Sequence, residues 1–193
     1  MPSPIKLIVG LGNPGPEYIA TRHNAGFWFL DNLAVKYGVV FSSEPKFRSE
    51  ITRINSHDVD CRLLKPATYM NESGGAIQAI MAYYKLGVEE IVVVHDEIDF
   101  EPGTVRIKSG GGHAGHNGIR DIINRIDSKD FLRLRIGVGH PGHKDKTADS
   151  VLSRPSIEHQ GLIEDAIETA LSVMPLIFKG EYSKVMAELH TNE

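Results

Sequence analysis

The feature that most constrains the fold is an almost continuous apolar run, IKLIV at residues 5–9, which leads directly into a glycine-rich segment. A run with so little polar alternation is typical of a strand buried on both faces, as in a parallel sheet. The segment that follows, GLGNPGPEYIATRHNAG at residues 10–26, contains four glycines and two prolines and therefore resists regular structure. Polar loops at the ends of buried strands carry function in α/β proteins, so we expect the site to be organised around this loop.

The same loop contains the dinucleotide-binding pattern G-x-G-x-x-G at residues 10–15, and Glu44 lies where an acidic ribose partner could follow a second strand. Such a site needs a helix that begins among the glycines, because the free N–H groups of that helix bind the pyrophosphate. Pro14 and Pro16 each remove an N–H group. A dinucleotide-binding oxidoreductase is therefore only a third alternative.

Strand and helix patterns alternate along the rest of the chain. Apolar or alternating runs predict core strands near residues 5–9, 60–64, 91–94, 104–108 and 131–138, with a further strand opening at residues 39–41. A turn at residues 55–58 predicts an antiparallel hairpin within residues 46–64. Apolar residues at spacings of three and four predict helices at residues 24–38, 76–87, 118–126, 156–175 and 182–189, and Asn24 is the predicted N-cap of the first. Residues 139–149 have no period and are predicted to form a mobile loop.

These elements predict a single three-layer α/β domain, residues 1–193, in which helices flank a twisted mixed sheet that is mostly parallel. The 193 residues, 41% of them hydrophobic, suffice for one core. Cys61 is the only cysteine, and the N-terminus lacks the pattern of a signal peptide. No window approaches the roughly 18 apolar residues of a membrane span. We therefore expect a cytoplasmic protein without a membrane partner.

Charge is distributed unevenly along the chain. The net charge is −4, yet residues 103–146 contain nine lysines and arginines against four acidic residues, a local net charge of +5. Alternation in the strands near residues 104–108 and 131–138 places basic side chains opposite the apolar face. Lys108 and Arg135 could bind a phosphate through charge-assisted hydrogen bonds, or they could belong to an ordinary solvent face.

His23 and Asp96 are the candidates for acid–base chemistry. His23 follows the first strand, Asp96 ends the strand at residues 91–94, and loops at strand ends of an α/β sheet can meet. A carboxylate that fixes the tautomer of a histidine makes it a general base. The alternative is a surface histidine and a turn aspartate. G-x-S-x-G is absent and Cys61 lies in an apparent strand, so water is the predicted nucleophile.

Side-chain amides and a glycine-rich loop offer further polar groups. Asn13 and Asn71 could donate hydrogen bonds to an oxyanion, although asparagine in turns often caps the backbone instead. The loop at residues 110–118 delivers Asn117 and Gly118 to the start of a helix, where free N–H groups could bind a phosphate or a carbonyl. A plain tight turn explains the same pattern.

Two H-x-x-H pairs, His113 with His116 and His140 with His143, raise the possibility of zinc. The first pair lies in a glycine-rich loop rather than on a helix face, and a lone cysteine offers no set of thiolates. The acidic run at residues 96–101 could hold magnesium, but it also fits a solvated loop. We therefore expect no metal and no cofactor.

The motifs together resemble the bacterial-type peptidyl-tRNA hydrolase family. Six of them occur in order over nearly the whole chain: K-L-I-V-G-L-G-N-P-G at residues 6–15, Y-x-x-T-R-H-N-A-G at 18–26, Y-M-N-x-S-G at 69–74, V-H-D-E-x-D at 94–99, G-G-G-H-x-G-H-N-G at 110–118 and R-L-R-I-G-V-G-H-P-G at 133–142. Each is weak alone, but six in order are specific. Beyond Pro155 the chain matches only in general character.

The resemblance implies a monomeric, metal-independent esterase that cleaves the bond between a peptide and the 3′ ribose of tRNA, which recycles tRNA from stalled translation. It implies that His23 is the catalytic base, that Asp96 supports it and that Asn13 acts on the reacting ester. It also implies a lid after Gly139, at residues 139–150. The remaining implied roles are substrate binding by Tyr18, Met70, Asn71, His116 and Asn117, and binding of the tRNA 5′-phosphate by Lys108 and Arg135.

The main rival is an RNA-binding module without hydrolytic activity. Such a module would keep the basic strand faces and the glycine-rich loop. It would not need both His23 and Asp96, so their joint presence favours an enzyme.

Overall fold

A computed structural model describes residues 3–190, which form a seven-stranded mixed sheet with helices on both faces. The strands are β1 (Leu7–Gly10), β2 (Ser42–Glu44), β3 (Ser49–Asn55), β4 (Asp60–Pro66), β5 (Ile91–Glu97), β6 (Val105–Ser109) and β7 (Leu132–Gly137). Their order across the sheet is β2-β3-β4-β1-β5-β7-β6. The central pairings, β4–β1, β1–β5 and β5–β7, are parallel, and the other three are antiparallel. The predicted three-layer α/β architecture with a mixed sheet is confirmed. The expectation of a mostly parallel sheet is wrong, because only the three central pairings are parallel and the three toward the edges are antiparallel.

All five predicted core strands are present, because an apolar run or a period of two residues marks each of them. The predicted hairpin is formed by β3 and β4, in which Asn55 lies opposite Asp60 across the turn. The strand expected at residues 39–41 lies further along the chain, as β2 at Ser42–Glu44. This short edge strand pairs only with β3 among residues 3–190, so local sequence carries little signal for it.

The helices are α1 (Ala25–Tyr37), α2 (Ser73–Tyr84), α3 (Asn117–Ile126), α4 (Thr147–Val151), α5 (Ile157–Ser172), α6 (Met174–Phe178) and α7 (Tyr182–His190). One face of the sheet packs against α1, α5, α6 and α7, and the opposite face packs against α2 and α3. Phe29 and Ile167 belong to the first core, and Ile77 and Ile122 to the second. Two cores on one sheet make the three layers.

Two segments differ from their predicted secondary structure: one predicted helix is divided in two, and one predicted loop contains a short helix. The helix expected to reach Pro175 ends as α5 at Ser172, and Pro175 lies in the first turn of α6, where its missing N–H group leaves no hydrogen bond unmade. The loop predicted at residues 139–149 contains a 3₁₀ turn at Lys144–Lys146 and then α4.

Two glycines bring the start of α1 against the ends of β1 and β5. A Cβ atom on Gly26 would lie 2.4 Å from the carbonyl oxygen of Val94 and 2.5 Å from the nitrogen of Leu11. A Cβ atom on Gly10 would lie 2.4 Å from the carbonyl oxygen of Gly26. Only glycine permits this approach of backbone to backbone. The turn before α1, which carries His23, is thereby held at the carboxyl end of β5.

Candidate active site

His23 and Asp96, predicted to meet from two strand-end loops, are in direct contact. His23 belongs to a 3₁₀ turn at Arg22–Asn24 and Asp96 to the end of β5. The Nδ1 atom of His23 lies 2.9 Å from Oδ1 and 3.0 Å from Oδ2 of Asp96. Because a carboxylate only accepts, Nδ1 carries the proton and Nε2 keeps its lone pair. His23 is 8% exposed and Asp96 is 3% exposed, so water competes little for this contact.

A second histidine donates to the same carboxylate. The Nε2 atom of His116 lies 2.9 Å from Oδ1 of Asp96. At the N-terminus of α3, the Nδ1 atom of His116 accepts hydrogen bonds from the N–H groups of Gly118 at 3.1 Å and Ile119 at 3.3 Å. The two backbone donors require a lone pair on Nδ1, so Nε2 carries the ring proton. Asp96 therefore receives hydrogen bonds from two rings of fixed orientation.

These contacts set the charges of the pair. Burial disfavours both ionised groups, but the nearby imidazoles and their hydrogen bonds hold the pKa of Asp96 well below its ordinary value. Burial also opposes protonation of His23, whereas the charge and hydrogen bond of Asp96 raise the pKa of His23 above its ordinary value. Asp96 is thus a permanent carboxylate beside a histidine whose protonated form is stabilised, which is what a general base needs.

Asn13 belongs to a hydrogen-bonded network with Met70 and with Asn24, the residue after His23. Its Oδ1 atom accepts from the N–H group of Met70 at 2.7 Å. Its own N–H group donates to Oδ1 of Asn24 at 2.8 Å, and Nδ2 of Asn24 donates to the carbonyl oxygen of Asn13 at 3.0 Å. Asn24 occupies the predicted N-cap position of α1, but its side chain makes no capping bond and is used by Asn13 instead. With Oδ1 occupied, the Nδ2 group of Asn13 makes no hydrogen bond to residues 3–190 and is free to donate.

A cleft of about 580 Å³ opens beside these groups. The end of β5, the glycine-rich loop and residues 140–151 form its walls. Among the predicted site residues, His23, Asp96, His116 and Asn117 line it. Met70 is buried and packs against the start of α3, where its sulfur would lie 2.6 Å from a Cβ atom on Gly118.

Three of the predicted substrate-binding residues have side chains that reach solvent: Asn117 at the cleft, Asn71 and Tyr18. Asn71 is exposed, and so is Asn117, whose Oδ1 atom accepts from Arg120 at 3.3 Å. Tyr18 is half-buried, and its ring packs edge-on against Tyr69 with 6.1 Å between the centroids. None of these side chains is committed to the core, so they remain available to a ligand.

At the start of α3, two of the N–H groups that could bind a phosphate or a carbonyl already have a partner. His116 accepts from Gly118 and Ile119, which favours the alternative of a plain tight turn. The glycine-rich loop is held from below by Arg133, which is 1% exposed and donates to the carbonyl oxygens of Gly111 at 2.5 Å and Gly112 at 2.6 Å. Alternation correctly places Arg133 opposite the apolar face of β7, but there the glycine-rich loop covers its side chain.

Lys108 and Arg135 lie on one face of the sheet as predicted. Arg135 of β7 pairs with Arg106 of β6, so Lys108 and Arg135 are diagonal neighbours on that face. Nη1 of Arg135 lies 3.9 Å from Oε2 of Glu97, and its guanidinium stacks on Phe100 at 4.7 Å. Lys108 forms no ion pair within residues 3–190, and burial together with Arg135 and Arg133 lowers its pKa. An anion would relieve this repulsion.

The side chains of His23, Asp96 and His116 are the one group among residues 3–190 with spacing that suits a shared metal ion. Their polar contacts favour another use. Each histidine donates a ring N–H directly to the carboxylate, whereas a metal needs nitrogen lone pairs at about 2.0–2.1 Å. The helix N–H groups fix His116 in the tautomer that cannot offer Nε2 to a metal. The arrangement therefore fits hydrogen bonding better than metal binding.

Residues 7–193 match the sequence model of the family described as "Peptidyl-tRNA hydrolase". The chain belongs to the peptidyl-tRNA hydrolase family. It is 51% identical over 185 residues to the peptidyl-tRNA hydrolase of Halorhodospira halophila, covering 96% of this chain and 95% of that protein. It is 48% identical over 193 residues to that of Nitrosomonas europaea, covering 100% and 99%. The crystal structure of the Acinetobacter baumannii peptidyl-tRNA hydrolase superposes with a TM-score of 0.94 at 47% identity, covering 97% of this chain and 95% of that one.

In this peptidyl-tRNA hydrolase family member, three residues close to the cleft were not among the predicted site residues. Asn24 fixes the backbone of Asn13, and Arg22 contacts residues 150–154. His95 is buried, its Nδ1 atom lies 2.7 Å from the carbonyl oxygen of Asp96, and burial and the nearby His116 lower its pKa to about 3. All three adjoin His23 or Asp96 in the motifs, which is the one signal that could have singled them out.

Helices that could cross a bilayer are not found in residues 3–190 of this family member. Cys61, the sole cysteine, is fully buried in β4, and burial raises the pKa of its thiol. It is therefore held as an inert thiol rather than a nucleophile, as predicted.

Proposed function

We propose that this chain hydrolyses the ester bond of peptidyl-tRNA, releasing free tRNA and a peptide, with His23 as the general base. The observation that carries the proposal is the contact between Nδ1 of His23 and both oxygens of Asp96 at the edge of the cleft. Membership of the peptidyl-tRNA hydrolase family supplies the reaction and the substrate.

The reaction begins with a water molecule that donates a hydrogen bond to the lone pair on Nε2 of His23. As the water oxygen attacks the ester carbonyl, its proton moves to Nε2 and the ring becomes an imidazolium. The Asp96 carboxylate stabilises this cation through the Nδ1 contact and keeps the ring in the required tautomer. When the tetrahedral intermediate collapses, Nε2 returns the proton to the leaving ribose oxygen.

Asn13 donates the hydrogen bond that stabilises the oxyanion. Its carbonyl end is held by the N–H group of Met70 and its backbone by Asn24, so its amide group is fixed before substrate arrives. A donor that is fixed in advance needs no reorganisation in the transition state. Asn71 is exposed and holds no such bond, which suits a contact to the peptide instead.

The remaining predicted residues bind substrate around this centre. Tyr18, Asn71 and Asn117 contact the peptide from the surface, and Met70 supplies an apolar wall. His116 both lines the cleft and holds Asp96. Residues 139–150 act as the lid, since His140, Lys144 and Thr147 line the side of the cleft opposite the pair.

Lys108 and Arg135 bind the 5′-phosphate of the tRNA, and this site is expected to show in the salt dependence of binding. We expect Lys108→Ala and Arg135→Ala each to raise KM and to reduce the slope of log KM against log salt by about 1, because each removes one phosphate contact. Steady-state kinetics between low and physiological salt measure this slope. The matched control is Arg53→Ala. It removes an exposed arginine of β3 that pairs with Asp60, toward the opposite edge of the sheet from Lys108 and Arg135. Slopes equal to that of the Arg53 variant would contradict phosphate binding by Lys108 and Arg135.

The experiment that tests the function itself is release of an N-blocked amino acid from N-acyl-aminoacyl-tRNA in the presence of a chelator. We expect turnover that EDTA leaves unchanged, because no step above uses a metal. Loss of turnover on chelation, restored by zinc, would replace this mechanism with a metal-dependent one. Binding of the RNA without any release would favour the RNA-binding module.

The same proposal covers the organisation of the protein. Residues 1–193 form one domain that works as a monomer in the cytoplasm. The buried single thiol and the continuous sheet are consistent with this.

A further inference from the structure

Arg22 immediately precedes His23, and the mechanism above gives it no role. Its Nη1 atom lies 2.7 Å from Oγ of Ser153 and 2.9 Å from the carbonyl oxygen of Arg154. Two longer contacts, at 3.3 Å and 3.4 Å, join the same atom to the carbonyl oxygens of Ser153 and Ser150. The backbone N–H group of Arg22 also donates to the carbonyl oxygen of Ser153 at 3.1 Å. One residue thus binds the chain at residues 150–154 through both its side chain and its backbone.

The bound chain, residues 150–154, directly continues the lid at residues 139–150. Helix α4 ends at Val151, and its terminal carbonyl groups have no partners within the helix. A cation that hydrogen-bonds such carbonyl groups satisfies them and interacts favourably with the negative end of the helix. Ser153 adds a bridge, because its hydroxyl accepts from Arg22 and donates to the carbonyl oxygen of Ser150 at 2.6 Å. Arg22 therefore anchors the chain just after α4, mainly through Ser153 and Arg154, with one longer contact of 3.4 Å to the carbonyl oxygen of Ser150 in the helix.

Helix α4, which directly precedes this anchor, forms one wall of the cleft. Thr147, Ala148 and Val151 of α4 line the same space as His23 and Asp96. At its other end the lid is attached by Gly139, whose N–H group donates to the carbonyl oxygen of Phe100 at 2.9 Å. Between these ends, the hydrogen bonds found in residues 140–146 are local, such as that from Gly142 to the ring of His140 at 3.0 Å. The position of the lid over the cleft thus depends on its two attachments.

We infer that Arg22 is a positioning residue that fixes the lid at a set distance from the catalytic base. The inference rests on the proposed function, because it assigns the lid a role in holding peptidyl-tRNA. The residue that locates the wall and the residue that removes the proton are consecutive in one 3₁₀ turn. A shift of that turn moves both, so the wall and the base keep their spacing.

His23 does not depend on Arg22 for its own position. The N–H group of Asn24 donates to the carbonyl oxygen of Thr21 at 3.0 Å, and the ring of His23 is held by Asp96. Loss of the Arg22 side chain should therefore release the lid and leave the base in place. This separates a lid anchor from a residue that merely maintains the catalytic turn.

The first test measures the lid without any substrate. Hydrogen exchange followed by mass spectrometry on the full chain compares the parent protein with Arg22→Gln. We expect amides in residues 144–153 to exchange about tenfold faster or more, as loss of charge-assisted hydrogen bonds predicts, and amides of β5 to be unchanged. Arg53→Gln, which removes an arginine bonded to Asp60 at 2.7 Å and 2.8 Å far from the cleft, should leave residues 144–153 at the parent rate.

The second test measures what the released lid does to turnover. With N-acyl-aminoacyl-tRNA, we expect Arg22→Gln to raise KM about tenfold and to change kcat by less than about threefold, since the lid contacts ground and transition states alike. The acid limb of the pH profile should keep its midpoint, because His23 and Asp96 remain paired. Ser153→Ala should act in the same direction more weakly, and the double variant should resemble Arg22→Gln alone because both changes break one connection.

Three results would overturn the inference: exchange in residues 144–153 as slow as in the Arg53 variant, a fall in kcat with KM unchanged, or additive effects of the Arg22 and Ser153 changes. Failure of the proposed function is distinguishable from these. A parent protein that releases nothing from the tRNA substrate refutes the reaction, while the exchange experiment still decides whether Arg22 holds the lid.

Discussion

His23→Ala is expected to lower kcat on peptidyl-tRNA by about 10²- to 10⁴-fold, the usual contribution of a general base. Without the ring, water must attack the ester with no group to accept its proton. KM should change little, because the substitution leaves the proposed phosphate contacts of Lys108 and Arg135 untouched. The measurement is steady-state release of the peptide from purified peptidyl-tRNA.

Because His23 is buried, a second substitution at this position and a control variant elsewhere are needed. His23→Asn has a shape similar to part of the ring and can still donate to Asp96, but it cannot take up a proton, so it should lose as much activity as His23→Ala. His57→Ala, an exposed histidine in the β3–β4 turn, should behave like the parent protein. Circular dichroism melts establish that each variant is folded. A folded Asn variant with near-parental turnover would exclude proton transfer by His23.

Asp96→Asn is the second change with a large expected effect, a loss in kcat of about 10²- to 10⁴-fold. In the parent, the carboxylate accepts from His23 and from His116 at once. An asparagine has one acceptor oxygen and one amide donor. If the oxygen of this asparagine accepts the hydrogen bond from His116, its amide group donates to Nδ1 of His23. His23 then adopts the other tautomer, with the proton on Nε2, and Nε2 loses the lone pair that a base needs.

The same variant should move the pH profile in a defined direction. His23 works as a base only when it is neutral, and Asp96 raises its pKa against the opposing effect of burial. In the parent, kcat/KM is therefore full above this raised pKa and falls as the pH drops through it. Removal of the carboxylate leaves burial unopposed, so the acid limb of the residual activity should shift to lower pH. An unshifted limb would mean that another group controls it.

The fold was largely accessible from the sequence because its core strands have strong patterns. β1 and β5 are apolar runs, and β6 and β7 alternate between apolar and polar residues. Their hydrophobic pattern alone therefore identifies these strands. β2 was misplaced because a three-residue edge strand with exposed side chains has no such pattern. The helix within residues 139–150 was missed for a similar reason, since α4 is five residues long and of its residues only Val151 is buried.

The site was predictable in its chemistry and less so in its supports. His23 and Asp96 follow from where polar residues occur at strand ends, and the family motifs add the other positions. Arg133 shows the limit of alternation, which places a side chain on a face but does not say that a loop will cover that face. Asn24 shows the limit of local rules, because a partner eleven residues away outcompetes the nearby helix for its side chain.

The close packing of Gly10 and Gly26 means that His23 and Asp96 are brought together during folding. Their contact is made entirely by backbone in the interior, so it forms as the sheet and α1 fold together. His23 and Asp96 are consequently preorganised in the free protein, and their ordering entropy is met during folding rather than on encounter with substrate. The free energy of tRNA binding is therefore not reduced by the cost of ordering His23 and Asp96. The same economy makes this crossing intolerant of change, since a single added methyl group at Gly26 would press α1 away from β5 and open the gap between imidazole and carboxylate.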